Sequence, residues 1–186
     1  MSRKSVSQTR LRIAGICGLG VVTLASACGI FARTGEQCQT PSSLGEEISK
    51  EFPGKHIVTS ADLEEYDRKL FSKDHGTRCP GLVKVNFFGD GKPTWALVLI
   101  SGDNPKRKAQ LVLVHLLDAG WEIRSLETTD GIPVVWRQGP GKYQGLYVSE
   151  KVIRATRPVI VLCDYGSSTI LYAWTGKNVE KVWLSD

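Results

Sequence analysis

The chain has 186 residues, with 24 Lys+Arg against 19 Asp+Glu and a formal charge of +5. Hydrophobic residues make up 41% and charged residues 23%, which excludes a wholly disordered chain, a collagen-like repeat and a long coiled coil. The length fits one compact domain, with or without a tail.

The charge is unevenly placed. Arg3, Lys4, Arg10 and Arg12 lie in residues 1–27 with no acid among them; taking these four from 24 leaves 20 basic against 19 acidic residues, a balance of +1. A near-neutral body builds no nucleic-acid footprint, so nucleic acid is not expected as a partner. The 20 residues from Ile13 to Ala32 carry no charge. A basic start followed by an uncharged apolar stretch reads as an export signal, so residues 1–27 are expected to be a signal peptide or membrane anchor. Three outcomes stay open. Ala25-Ser26-Ala27 before Cys28 suits lipoprotein processing, which would make Cys28 a lipidated N-terminus, although Leu24 sits one place further back than in the commonest pattern. Ala25-x-Ala27 also suits ordinary cleavage. An uncleaved anchor of this length just spans a bilayer. All three place the rest of the chain in the periplasm or cell envelope. Residues 28–41 then read as a tether, with membrane contact through the lipid or anchor, and residues 42–186 as one globular domain.

Of the five cysteines, Cys17 falls in the apolar leader and Cys28 is the lipid candidate. An oxidising compartment favours pairing of the others. Cys79 precedes Pro80-Gly81 at the entry to a sheet and Cys163 ends an apolar run, so a Cys79–Cys163 disulfide is expected. Cys38 is then free if Cys28 is lipidated, or available to Cys28 if it is not. There is no C-x-x-C, and His56, His75 and His115 are isolated, so no metal or cofactor site is expected.

In chain order, Leu44, Ile48 and Phe52 recur every four residues after a possible Ser42 or Ser43 cap, predicting a short helix stopped by Pro53-Gly54. A brief strand is expected at His56–Thr59. A second helix is predicted from Ala61 to about Lys73, capped by Ser60, with acids in the first turn, Lys69 and Lys73 in the last, and Leu63, Tyr66, Leu70 and Phe71 as its apolar stripe. After Pro80 the period changes to short apolar runs broken by Gly, Asp, Asn and Pro clusters, the pattern of an antiparallel meander. Leu111–Leu117 could be strand or helix. Val159–Leu162 is apolar throughout and reads as a central strand. Ile170, Tyr172 and Trp174 should share a face. The fold class expected is α+β, with the N-terminal helices packed on an antiparallel meander sheet; a small barrel or propeller-like fragment is the alternative.

Between two predicted strands lies Asn86-Phe87-Phe88-Gly89-Asp90-Gly91-Lys92-Pro93-Thr94. It resembles the calcium loop of FG-GAP-like extracellular repeats. That resemblance implies Ca²⁺ held by alternating carboxylates, but here only Asp90 keeps one, too few for a hard dication; the loop reads as a structural turn. More widely, Cys79-Pro80-Gly81, the Gly89-Asp90-Gly91 hairpin and the ending Leu171-Tyr172-Ala173-Trp174…Val182-Trp183-Leu184-Ser185-Asp186 resemble small bacterial exported and lipoprotein-like proteins. This resemblance implies a location and a style of fold, not an activity.

No catalytic set is legible. Gly139-Pro140-Gly141-Lys142 lacks phosphate-loop spacing, Asp164–Ser168 lacks the nucleophile elbow, and a Cys163–His115 pair would need a reactive thiol that a strand cysteine rarely supplies. Lys106-Arg107-Lys108 reads as a solvated hairpin tip. The tryptophans should mostly fill the core, with Trp136, Tyr143 and Tyr147 as a possible recognition surface near residues 138–147. The resulting expectation is a non-enzymatic envelope module, binding or structural, whose partner is an envelope protein or surface polymer. The alternative is a hydrolase assembled from Asp164, Ser167 and His115.

Overall fold

The computed structural model describes residues 38–102, 108–146 and 152–185. The expected leader, Cys28, most of the 28–41 tether, Lys106 and Arg107 of the basic tip, and Tyr147 lie outside the described residues. No helix among the described residues is long and apolar enough to cross a membrane.

In order, the elements are α1 (Ser42–Glu51), β1 (Lys55–Ile57), α2 (Glu65–His75), β2 (Leu82–Val85), β3 (Thr94–Ser101), β4 (Lys108–Leu117), β5 (Gly120–Asp130), β6 (Val134–Gln138), β7 (Gly141–Tyr143), β8 (Ile153–Ala155), β9 (Val159–Asp164), β10 (Ser168–Trp174) and β11 (Val179–Ser185). All described ladders are antiparallel. The first sheet runs β3-β4-β5, with β1 and β2 both on the far edge of β3; the second runs β6-β9-β10-β11; β7 and β8 form a separate hairpin.

Alternation along the strands builds three packed layers of side chains. Ala96, Val98 and Ile100 of β3 and Leu111 and Leu113 of β4 meet Ile160, Leu162, Ile170 and Tyr172 of the second sheet in the central core. The opposite face of the first sheet carries Trp95, Leu97, Leu99, Val112 and Val114 under Leu44 and Ile48 of α1. The outer face of the second sheet carries Val159, Val161, Leu171, Ala173 and Val182 beside Ile153 and Tyr143 of the β7–β8 hairpin.

The expected α+β arrangement, helices on one meander, is therefore corrected, and neither barrel nor propeller fragment replaces it: the fold is mainly β and sandwich-like, with two short helices at its margin. The reason lies in β3 and β9, which are buried along nearly their whole length. Strands apolar at consecutive positions need cover on both faces, and helices of 10 and 11 residues cover too little. A second sheet supplies the rest. Leu111–Leu117 falls in β4, held between β3 and β5.

The second helix starts later than predicted. Asp62 Oδ2 accepts hydrogen bonds from the Thr59 N–H and hydroxyl, each at 2.8 Å, and Oδ1 lies 3.1 Å from His56 Nε2. These local bonds hold 59–62 in a turn, in competition with helix. Tyr66, expected in the apolar stripe, is 68% exposed; Phe71 alone of α2 is fully buried.

β1 and β2 lie end to end along β3, and their junction is tight. Val58 N–H donates to Val98 O, Val98 N–H to Gly81 O, and Gly81 N–H to Val58 O, at 2.9–3.0 Å. A Cβ at residue 81 would sit 2.5 Å from Val58 O and 2.6 Å from Val58 N, so only glycine permits this approach. Cys79, two residues earlier, forms a disulfide with Cys38. This replaces the expected Cys79–Cys163 pair. Cys163 is a free thiol buried in β9, opposite Val134 and Thr169, with its side chain in the central core, and Cys79 is already taken by Cys38.

β5 is an edge strand with a bulge. The register shifts between Leu111 and Val112, opposite Glu127 and Ser125, leaving Leu126 as the extra residue. Leu126 packs into the central core, and Glu127 accepts a hydrogen bond from the Tyr172 phenol at 2.9 Å; the bulge lets two consecutive side chains serve the second sheet.

The disulfide spans 41 residues of sequence. Closing a loop of that length is expected to stabilise the fold by about 4 kcal/mol. Urea titration with and without reductant checks this: reduction should lower stability by about 2–4 kcal/mol, and Cys163→Ser should leave the reductant effect intact.

Candidate functional site

The loop with calcium-loop resemblance is closed from within. Asn86 Oδ1 accepts the Gly89 N–H and Asp90 Oδ1 the Lys92 N–H, both at 3.0 Å. Arg157, between β8 and β9, donates its guanidinium to Phe88 O, and its side chain crosses Gly89 so closely that a Cβ there would meet Arg157 Nε at 2.3 Å. Asp90 Oδ2 then lies 2.9 Å from His115 Nε2, and His115 Nδ1 lies 3.0 Å from Thr94 Oγ1. The imidazole thus bridges the Asp90 carboxylate and the Thr94 hydroxyl through its two ring nitrogens. Burial pushes the Asp90 carboxyl up, but the Lys92 N–H and the His115 ring together hold it below the usual carboxylate range. The carboxylate and the ninth-position side chain thus serve the hairpin itself.

This carboxylate–imidazole–hydroxyl line has the order of a nucleophile relay, but Thr94 is completely buried and His115 is 5% exposed. Phe88 covers the imidazole with ring centroids 4.6 Å apart and stands edge-on to Trp174 at 5.0 Å. A substrate atom has no approach to Thr94 Oγ1. The line braces β3 against β4 and fixes the loop.

Asp164 and Ser167, two members of the hydrolase alternative, do share a cavity of about 250 Å³ at the β9–β10 turn, with Glu127, Asp130 and Trp183 also lining it. His115 does not join them. It is linked through Phe88 to Trp174, at the opposite end of β10, and the rise from Ser168 to Trp174 is about 20 Å at some 3.3 Å per residue. Cys163 pairs with Thr169, five residues along β10 from Trp174, about 17 Å of strand. Burial pushes the Cys163 thiol up, Asp164 and Asp67 add to this, and only the Thr169 hydroxyl at 3.4 Å opposes it; the group is no thiolate nucleophile. Burial also raises the Asp164 carboxyl, reinforced by Asp67 and Glu64 at the start of α2. Glu127 is engaged by Tyr172 and Lys181.

The expected aromatic recognition surface is likewise not formed among the described residues. Trp95 is buried, and Trp121, Trp136, Trp174 and Trp183 pack against the cores. Trp136 stacks on His75 at 4.8 Å, and the half-buried Tyr143 donates its hydroxyl to Gly139 O. The exposed large hydrophobics are Tyr66, Leu117 and Leu146, on separate elements.

A feature that sequence reading missed is a cleft of about 450 Å³, lined by Lys84 of β2, Lys92 of the 86–94 loop and Arg137 of β6, with Asn86 and Pro93. Its cations are scattered along the chain, whereas inspection of the sequence favours contiguous clusters such as 106–108. Only the pairing of the strands brings them together.

The fold and these sites define a disulfide-stapled, mainly β domain whose most elaborate polar network is internal. No family model matches the sequence, and no curated protein or solved structure matches it.

Two outcomes follow from this geometry. Thr94→Val should cost about 1 kcal/mol, and His115→Leu about 2–3 kcal/mol, because the latter removes the bond to Asp90 as well as the one to Thr94; chemical denaturation of both variants checks the order. Asp164 has a raised folded-state pKa, so its contribution is favourable below the unfolded value near 4 and is lost as pH rises through the folded value. Asp164→Asn should therefore stabilise the protein at pH 7 by under about 1 kcal/mol, given partial screening, and leave it unchanged at about pH 3, as thermal melts at the two pH values would show.

Proposed function

We propose that the chain is an exported cell-envelope protein that acts as a non-enzymatic binding or structural module, its partner an envelope protein or a surface polymer. The observation that carries this reading is the Cys38–Cys79 disulfide, since such bonds persist in oxidising compartments and are rare in the cytosol. The basic, then uncharged, first 32 residues support it independently. The use of Asp90, His115 and Thr94 as internal braces, with Asp164 and Ser167 far from the imidazole, favours a module over a hydrolase.

Lipidation at Cys28 fits the same reading. Cys28 precedes Cys38 by ten residues, which span at most about 35 Å when extended. The disulfide end of the domain would stand within that distance of the bilayer, close enough to work on surface components.

Cell fractionation with intact-mass measurement of the natively made protein tests this. The expected product resides in the envelope, begins at Cys28 and has lost two hydrogens to the disulfide; added acyl mass assigns the lipid anchor and its absence assigns simple cleavage. A full-length, fully reduced chain in the cytosol would overturn the proposal.

A further inference from the structure

β6 packs beside β2 and β3 in the central core, and its backbone is joined to the segment that leads into β2 by the bond from Val135 N–H to Pro80 O at 2.7 Å. Further along both strands Lys84, Val85 and Asn86 lie on one side and Arg137 on the other of the 450 Å³ cleft, with Gly91, Lys92 and Pro93 at its rim. The cleft thus lies between two edge strands, β2 and β6, of different sheets. The cleft has the volume of a small-ligand site, and each charged residue that lines it is cationic.

We infer that this cleft binds a phosphate group, with Arg137 as its principal ligand and Lys84 and Lys92 as flanking charges. The inference rests on the reading of the chain as a binding module and names the ligand class. Arg137 is exposed on an edge strand, and its side chain has no ion-pair or hydrogen-bond partner among the described residues. A guanidinium presents its N–H donors as a planar fork that matches two phosphate oxygens. Lys84 Nζ is held 5.1 Å above the Trp95 ring, a contact that orders the side chain and leaves its charge intact. Lys92 Nζ lies 2.6 Å from Asp118, whose side chain is 97% exposed. A counter-ion so fully hydrated binds weakly, so a ligand phosphate can take its place.

The arrangement favours phosphate over a simple carboxylate. Three cations from three segments surround one cleft, and a phosphate offers more acceptor oxygens and more charge than a carboxylate does. The phosphate could belong to a small ester or to the phosphodiester backbone of a surface polymer.

The test uses the natively processed, disulfide-bonded chain, titrated with inorganic phosphate, with glycerol phosphate oligomers and with acetate at matched ionic strength. Binding is followed by calorimetry and by tryptophan emission, since displacement of Lys84 alters the surroundings of Trp95. Saturable phosphate binding stronger than acetate binding is expected. Arg137→Gln should weaken it about tenfold or more, Arg137→Lys should restore part of it, and Lys73→Gln on α2 should leave it unchanged, with thermal midpoints confirming that each variant folds. Tighter binding of the oligomers assigns a polymer source, and equal binding a small ester. No saturable phosphate binding up to about 10 mM, equal binding of acetate, or undiminished binding by folded Arg137→Gln would overturn the inference. Such a result in a chain that is still exported and disulfide-bonded sinks the cleft alone and leaves the envelope reading standing.

Discussion

Three consecutive residues, Cys79-Pro80-Gly81, tie the domain together. The cysteine sulfur joins the N-terminal tail at Cys38. The proline carbonyl accepts the Val135 N–H and so connects the second sheet. The glycine exchanges backbone bonds with Val58 and Val98 and so aligns β1 with β2 along β3. Each residue type suits its task. Proline has no N–H to satisfy at the point where the chain turns into the sheet, and glycine alone tolerates the neighbouring backbone. The two disulfide sulfurs lie 3.6 and 3.9 Å from Val58 O, so covalent staple and backbone junction are one structure. The cleft lies near the same place, since the strands that flank it, β2 and β6, are linked there by the Val135–Pro80 bond.

Polar residues within the sandwich show what the fold does with groups that look chemical in the sequence. Asp90, His115 and Thr94 close a hairpin. Glu127 reaches across from β5 to Tyr172 and Lys181 of the second sheet, and with burial it pushes the Tyr172 phenol far above its ordinary range. Buried polar groups need partners, and Thr94, His115 and Tyr172 find them in neighbouring side chains. At the surface, the Arg137 side chain, with no hydrogen-bond or ion-pair partner among the described residues, is available to a ligand.

Much of the strand pattern was legible. Period-two alternation placed Ile170, Tyr172 and Trp174 on one face, and all three contact the central core; the unbroken apolar run at 159–162 marked the middle of a sheet. The division into two sheets was not legible, because alternation reports which residues are buried and is silent on which strand lies beside which. β6 pairs with β9 across the whole β7–β8 hairpin. The disulfide partner was missed for a similar reason: Cys163 sits at the end of an apolar run, as a core residue also does. The start of α2 was missed because Asp62, a good first-turn acid, is better used by Thr59 and His56. The cationic cleft left no trace in the sequence, since nothing in Lys84, Lys92 or Arg137 taken singly indicates a common destination.

The bulged strand β5 has a consequence for life in a crowded compartment. Its outer margin has no strand partner among the described residues, and eleven residues of open backbone invite another molecule to dock alongside. An arriving strand would meet the Glu122–Arg124 pair and, further on, a stretch where the extra Leu126 breaks the regular spacing of donors and acceptors. The ladder could not extend past that point. The irregularity that turns Leu126 and Glu127 inward also discourages fibre growth from this border of the sheet.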